Sequence, residues 1–245
     1  MTLYIWIWRF LTLQIVSSCR KLINATAAEQ LPKVLRENQV TDVFLDLDET
    51  LLMPDTPFIF GLPGTDSFIE QLDPCLRAAM PELAARMEAS YNAAALQLVD
   101  STFPEIIAEM RRNMRVVALT SRRAGEVQNT AIIDFLAAAG VQLSKGAGNN
   151  TAIGGIIFAQ GQEVNKGSII KDALRNPVSE ISKAALGDNT LGKLEAALEV
   201  SDLCLLAIHF TAAYHLEQSD VSRRRWICRE LAAIGSECAC GASEL

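Results

Sequence analysis

The sequence predicts an α/β protein, a parallel sheet sandwiched by helices, and three observations carry that reading. Apolar strand-like runs alternate with helical patterns along most of the chain. Unbroken apolar stretches such as Met114 to Leu119 and Leu203 to Phe210 suit strands buried on both faces. Polar residues collect where such runs end, at Asp46, Thr120 and Asp188, the edge at which open parallel sheets bind ligands.

The elements follow in order. Residues 1–22 form an apolar N-terminal segment, and Ala27 to Glu37 reads as a helix before a buried strand from Thr41 to Leu47. Gly61, Pro63 and Gly64 break the chain. The alanine-rich stretch from Asp66 to Asp100 then reads as helical, and Phe103 to Arg112 as a further helix. Met114 to Leu119 predicts a strand, and Arg123 to Ala139 a helix closed by Gly140. Gly154 to Phe158 and Gln162 to Val164 flank Gln160-Gly161, which predicts a short hairpin ahead of a helix from Lys166 to Leu174. Strands at Ile181 to Leu186 and Leu203 to Phe210 enclose a helix at Leu191 to Val200, and Ser222 to Ile234 is amphipathic.

Composition narrows the function. A chain of 245 residues, 50% hydrophobic and 21% charged, has the makings of an ordinary globular core. Its net charge of -7 offers no electrostatic footprint for a polyanion, so nucleic acid is not an expected partner. The six cysteines show no framework spacing, so reduced thiols are expected, with Cys204 a core thiol in an apolar run. Cys238 and Cys240 lack the further ligands of a zinc site. The two histidines, His209 and His215, lie in no recognisable nucleophilic setting. Leu3 to Val16 has the apolarity of a signal core but carries Arg9, and Val16-Ser17-Ser18-Cys19 resembles a lipoprotein cleavage box. A cytoplasmic protein is favoured, with export or membrane anchoring through this segment left open.

The chemistry is concentrated in Val43-Phe44-Leu45-Asp46-Leu47-Asp48-Glu49-Thr50. Alternate residues of a strand share a face, so Asp46 and Asp48 are delivered to the same side where the strand ends. Two carboxylates that close repel unless a cation lies between them. A nucleophile beside a cation is what phosphate monoester hydrolysis demands, since it is among the slowest uncatalysed reactions.

Asp46-Leu47-Asp48-Glu49-Thr50 resembles the first motif, Asp-x-Asp-x-Thr, of the haloacid dehalogenase-like superfamily. Thr120 in Val116-Val117-Ala118-Leu119-Thr120-Ser121-Arg122 stands at the place of the second motif, Lys166 in Asn165-Lys166-Gly167-Ser168 at the third, and Asp188 in Leu186-Gly187-Asp188-Asn189-Thr190 at the fourth. The resemblance runs from Thr41 to Phe210, within a domain of residues 23–245, and is similar to a poorly characterised bacterial branch of phosphatase-like proteins. It implies a Rossmann-like core with a small helical cap inserted at about 54–101. By resemblance Asp46 is the nucleophile and Asp48 the general acid and base, while Thr120 and Lys166 hold the phosphoryl group. Mg²⁺ is the implied cofactor, with Asp46, Asp48 through its backbone carbonyl, and Asp188 as ligands. The implied substrate is a small phosphorylated molecule.

The fourth motif departs from the pattern, because many relatives carry a second acid where Asn189 follows Asp188 here. That departure motivates an alternative, a noncatalytic binding protein that keeps the fold and docks a partner or an anionic membrane through Arg223-Arg224-Arg225-Trp226. A further alternative is a phosphotransferase, in which an alcohol replaces water as acceptor. Thr120 also suits a helix cap, Arg122 either touches substrate or is solvated, and Glu49 has no assigned role. Phe58, Phe60 and Phe68 are expected to pack cap against core.

Overall fold

Short apolar runs without helical spacing, at Asp42–Leu45 (β2), Arg115–Thr120 (β5), Ala184–Asp188 (β8) and Leu205–Phe210 (β9), form strands buried along nearly their whole length. The computed structural model describes residues 20–55, 95–125, 127–145, 152–161, 164–174, 183–200, 203–215, 228–230 and 232–233. The remaining described strands are Lys21–Ala25 (β1), Leu52–Pro54 (β3), Leu96–Leu98 (β4), Ala152–Ile153 (β6) and Ile156–Phe158 (β7). The helices are Leu31–Glu37 (α1), Phe103–Met110 (α2), Val127–Ala138 (α3), Lys166–Leu174 (α4) and Leu191–Leu198 (α5).

The main sheet has the order β1-β9-β8-β2-β5-β7-β6. Every neighbouring pair is parallel except β6 with β7, so six parallel strands carry one antiparallel edge. With helices packed on it, this is the α/β, Rossmann-like arrangement expected from the alternation of strand and helix. One face of the sheet, through Phe44, Val117, Leu119, Leu186, Leu205 and Ala207, packs on Ile169, Ile170 and Ala173 of α4 and Leu194 and Ala197 of α5. On the opposite face Phe103 of α2 meets Phe210 of β9 with ring centroids 5.5 Å apart.

The chain divides into two compact units, residues 1–52 with 98–213 and residues 53–97 with 214–245. The first contains the whole main sheet. Strands β3 and β4 pair with each other where the chain passes from the first unit to the second and returns. In the second unit the described residues beyond these strand ends are few, chiefly the helical Cys228–Glu230.

Several elements differ from expectation. The helix read from Ala27 splits into a 3-10 turn at Ala28–Gln30 and α1, whose first turn takes Pro32 because no helical N–H is needed there. Leu96–Leu98 is a strand rather than part of a helix; its apolar-polar-apolar triplet suits the two-stranded ladder with β3. Gly154-Gly155, expected at the start of a strand, form the turn of a hairpin between β6 and β7, with φ of +61° and +84°, while the arm expected at Gln162 to Val164 falls largely outside the described residues. A side chain at Gly155 would lie 2.5 Å from Leu143 Cβ. Cys204, expected as a reduced thiol, is disulfide-bonded, as is Cys228. Cysteine spacing carries no signal for this, because a bridge is set by three-dimensional geometry. The N-terminal apolar run with Cys19, most of the cap range with Phe58, Phe60, Phe68 and Cys75, the stretch Arg223 to Trp226, and Cys238 and Cys240 lie outside the described residues.

The junction of α4 with α5 is tight enough to test. A Cβ at Gly167 would sit 2.7 Å from the Ala197 carbonyl oxygen and 2.9 Å from its Cα, so backbone would have to part. Gly167→Ala should therefore cost about 1–3 kcal/mol in urea unfolding, the usual penalty of overpacking. Gly192, on α5 with open space around it, is the control: Gly192→Ala should be neutral or stabilise by about 0.4–1 kcal/mol.

Candidate active site

The chain runs from β2 to β5 and β7 on one side, then returns to β8 and β9 on the other, so the strand order reverses between β2 and β8. Open α/β sheets bind ligands at such a switch, beyond the carboxyl ends of the strands. Asp46 leaves β2 at this point, its backbone N–H donating to the Gly187 carbonyl across the gap at 2.8 Å. Asp188 is the last residue of β8, and Thr120 the last of β5. Gly187 lets the two central strands lie close, since a Cβ there would meet Leu45 Cδ2 at 2.9 Å.

Lys166 enters from the first turn of α4. Asn165 builds that helix start: its Oδ1 accepts the Gly167 N–H and its Nδ2 donates to the Ala196 carbonyl, both at 2.8 Å, so the turn is fastened to α5. Lys166 Nζ then lies 2.7 Å from Asp46 Oδ1 and 2.7 Å from Asp188 Oδ2. All three residues are buried, with exposures of 2% for Lys166, 3% for Asp46 and 0% for Asp188. Burial opposes the lysine's charge, but the two carboxylates outweigh it and hold its proton above the ordinary lysine range. Burial, then the Asp188 charge, push the Asp46 carboxyl up to about 7 against the opposing pull of Lys166. A cation at a helix start works against the dipole, so this lysine is placed by its acids and not by the helix.

Asp48 goes elsewhere. Its carboxylate takes two bonds from Arg122, Nε at 3.0 Å and Nη2 at 2.7 Å, in a bidentate pair at partly exposed positions. Arg122 is thus a partner of the motif, neither simply solvated nor a free substrate contact. The Arg122 backbone N–H donates to Thr120 Oγ1 at 3.2 Å, which leaves the threonine's own proton available to donate. The structure therefore brings Asp46, Lys166 and Asp188 together, sets Thr120 beside them at the neighbouring strand end, and pairs Asp48 with an arginine.

Two residues without an expected role belong to the same turns. The chain after Asp46 closes tightly, with Leu47 O accepting N–H groups from Thr50, Leu51 and Leu52. Glu49 sits in this turn at φ +58°, 5% exposed, and its Oε2 accepts Asn189 Nδ2 at 2.7 Å. Burial, with Asp48 and Asp46 near, pushes its carboxyl up to about 8. Glu49 and Asn189 both lie inside the quoted motifs, but nothing in the sequence signals that they meet. His209 on β9 makes a 3.0 Å contact through Nε2 with the Asn189 carbonyl and so braces the same loop.

The donor set fits Mg²⁺. Both contacts of the Asp46 carboxylate fall on Oδ1, so among the described residues Oδ2 takes no hydrogen bond. Thr50 Oγ1 is fully buried in the same turn, with no hydrogen-bond partner among the described residues. Among the described residues no three acidic, histidine or cysteine side chains group around one metal position. The expected ligands remain the carboxylates of Asp46 and Asp188 with the backbone carbonyl of Asp48. Mg²⁺ commonly keeps several waters and takes one or two carboxylates, so this set suffices.

Compared with curated proteins and with solved structures, the chain matches none. One family model matches residues 21–235, which takes in the whole main sheet and every residue of the site. The chain belongs to the family described as proteins of unknown function, DUF2608.

Proposed function

We propose that the protein is a phosphatase of the haloacid dehalogenase-like type, hydrolysing a small phosphomonoester through an aspartyl-phosphate on Asp46. The observation that carries this reading is the buried Lys166 ammonium shared at 2.7 Å by Asp46 and Asp188 at the strand switch. An ordinary structural ion pair needs one acid; two acids on one lysine, at the edge where ligands bind, suit a site that handles anionic oxygen.

In the first step an Asp46 oxygen attacks phosphorus and the ester oxygen leaves as the alcohol, protonated by Asp48. In the second, Asp48 takes a proton from water, the water oxygen attacks phosphorus, and inorganic phosphate leaves with Asp46 regenerated. Lys166 and the Thr120 hydroxyl face the phosphoryl oxygens, where donors fixed in advance are most effective. The Arg122 fork holds the resting Asp48 carboxylate in one orientation at a partly exposed position, and Asp48 exchanges one of those bonds for a proton when it serves as the acid. When bound, Mg²⁺ held by Asp46, Asp188 and the Asp48 carbonyl would neutralise charge on the phosphoryl group. The segment bracketed by β3 and β4 is read as the cap that selects substrate. Disulfide-bonded Cys204 and Cys228 weigh toward an oxidising compartment, and so toward the exported alternative.

The test is phosphate release from an aryl phosphate and a small panel of phosphometabolites, with Mg²⁺ and with chelator. Release in Mg²⁺ that chelator abolishes is the expected result; no release under either condition sinks the proposal. Added alcohol that yields a new phosphoester would instead make the protein a phosphotransferase.

A further inference from the structure

We propose that Glu49, held by Asn189, is a positioning residue of the divalent-cation site and takes the place of the second acid that the Gly187-Asp188-Asn189 turn lacks. The inference rests on the phosphatase reading and deepens it, because Glu49 places an acid side chain against the turn whose missing acid argued for a noncatalytic protein.

Four observations converge. First, Asn189 follows Asp188 where an acid is missing, and its amide spends a 2.7 Å hydrogen bond on Glu49 Oε2. That bond ties the turn after β8 to the turn after β2, the two turns that carry Asp188 and Asp46. Second, Glu49 is almost fully buried, and the one hydrogen bond it receives among the described residues comes from this neutral amide. A buried carboxyl so served, with the Lys193 charge also acting on it, keeps acceptor capacity for further donors. Third, Glu49 holds φ +58°, a conformation that costs a non-glycine residue about 1–2 kcal/mol. Glycine would remove that cost, so the turn carries strain in order to keep this side chain inward. Fourth, the neighbouring Thr50 Oγ1 is buried with no hydrogen-bond partner among the described residues. The turn that follows Asp46 thus holds two buried oxygen groups with hydrogen-bonding capacity to spare for the waters of a hydrated Mg²⁺. No three acids here surround one metal position directly, so Glu49 acts through water and through Asn189 and not as an inner ligand.

The experiment is calorimetric titration of the full chain with MgCl₂, comparing wild type, Glu49→Gln, Asp188→Asn and the double variant Glu49→Gln with Asn189→Asp. Circular dichroism confirms that each is folded. Glu49→Gln should weaken Mg²⁺ binding about 10–100-fold, the usual effect of removing an outer-shell partner. Asp188→Asn should weaken it further, and the double variant, which returns an acid to the fourth motif, should recover most of the loss. Wild-type affinity in Glu49→Gln, with binding lost in Asp188→Asn, would overturn the role of Glu49 and leave the phosphatase reading standing. Absence of Mg²⁺ binding in both wild type and Asp188→Asn would overturn the cation site itself, and the phosphatase reading's metal with it.

Discussion

Asp46→Asn should cut phosphate release by about 10⁴-fold or more and leave the protein folded. The activity loss follows from chemistry: an amide oxygen is a poor nucleophile and cannot form the acyl phosphate. Retention of the fold follows from the surroundings. Asparagine keeps the size of the side chain and an oxygen to accept the Leu47 N–H, and Lys166 retains Asp188 as a charged partner. The substitution also removes a carboxyl that burial and Asp188 push up to about 7. A carboxyl raised in the folded state lends stability that is fully present below its unfolded value of about 3.9 and is lost as pH rises through about 7. Wild type should therefore lose more stability than Asp46→Asn between those limits. Activity runs the other way, because attack needs the carboxylate, and Mg²⁺ beside Asp46 should move the acidic limb to lower pH. Rapid quenching with an aryl phosphate separates the two acids. Labelled protein should be absent in Asp46→Asn but persist in Asp48→Asn, where the leaving group departs unaided and hydrolysis lacks its base. Full turnover by Asp46→Asn would end the proposed mechanism.

Strands were legible wherever a run was apolar on both faces. Met114 to Leu119 and Leu203 to Phe210 needed only a one- or two-residue shift, and the order of motif residues along the sheet edge could be read before any coordinates. Burial on both faces leaves a mark in sequence because every position is constrained. Elements whose identity depends on a distant partner left no such mark. Lys21–Ala25 is a short, mostly exposed pentapeptide of mixed character that becomes a strand by pairing with β9, nearly the whole chain away. Gly154-Gly155 heads an apolar run and so reads as strand, whereas its positive φ values and the closeness of Leu143 make it the turn between β6 and β7. The site divides the same way. Asp46, Thr120, Lys166 and Asp188 were found by their places at strand and helix ends. The Asp48–Arg122 and Glu49–Asn189 pairs join residues far apart in the chain, and each partner alone looks like an ordinary polar residue of a turn.

Lys166→Met should destabilise the protein by about 3–5 kcal/mol near pH 8, the penalty of removing one partner from a buried charge cluster. Methionine fills a similar volume, so the loss is electrostatic and not a cavity. Without the ammonium, Asp46 and Asp188 face each other buried and uncompensated. Asp46 answers by holding its proton: its carboxyl, already raised to about 7 by burial and the Asp188 charge in the presence of Lys166, rises further. Its added shift costs nothing at low pH, where the acid is protonated in folded and unfolded chains alike, and costs more as pH climbs toward the new value. The gap between wild type and variant in urea unfolding should therefore be small near pH 5.5 and widest near pH 8. An equal gap at both values would mean that packing, and not charge, holds Lys166 in place. Mg²⁺ provides a second discriminator. A divalent cation bound by the same two carboxylates should restore part of the variant's stability at high pH, while turnover stays lower by about 10²–10³-fold because the donor to the phosphoryl oxygens is gone. Stability returning without activity would assign Lys166 both of its roles, counter-charge to the resting acids and hydrogen-bond donor to the transferred phosphoryl group.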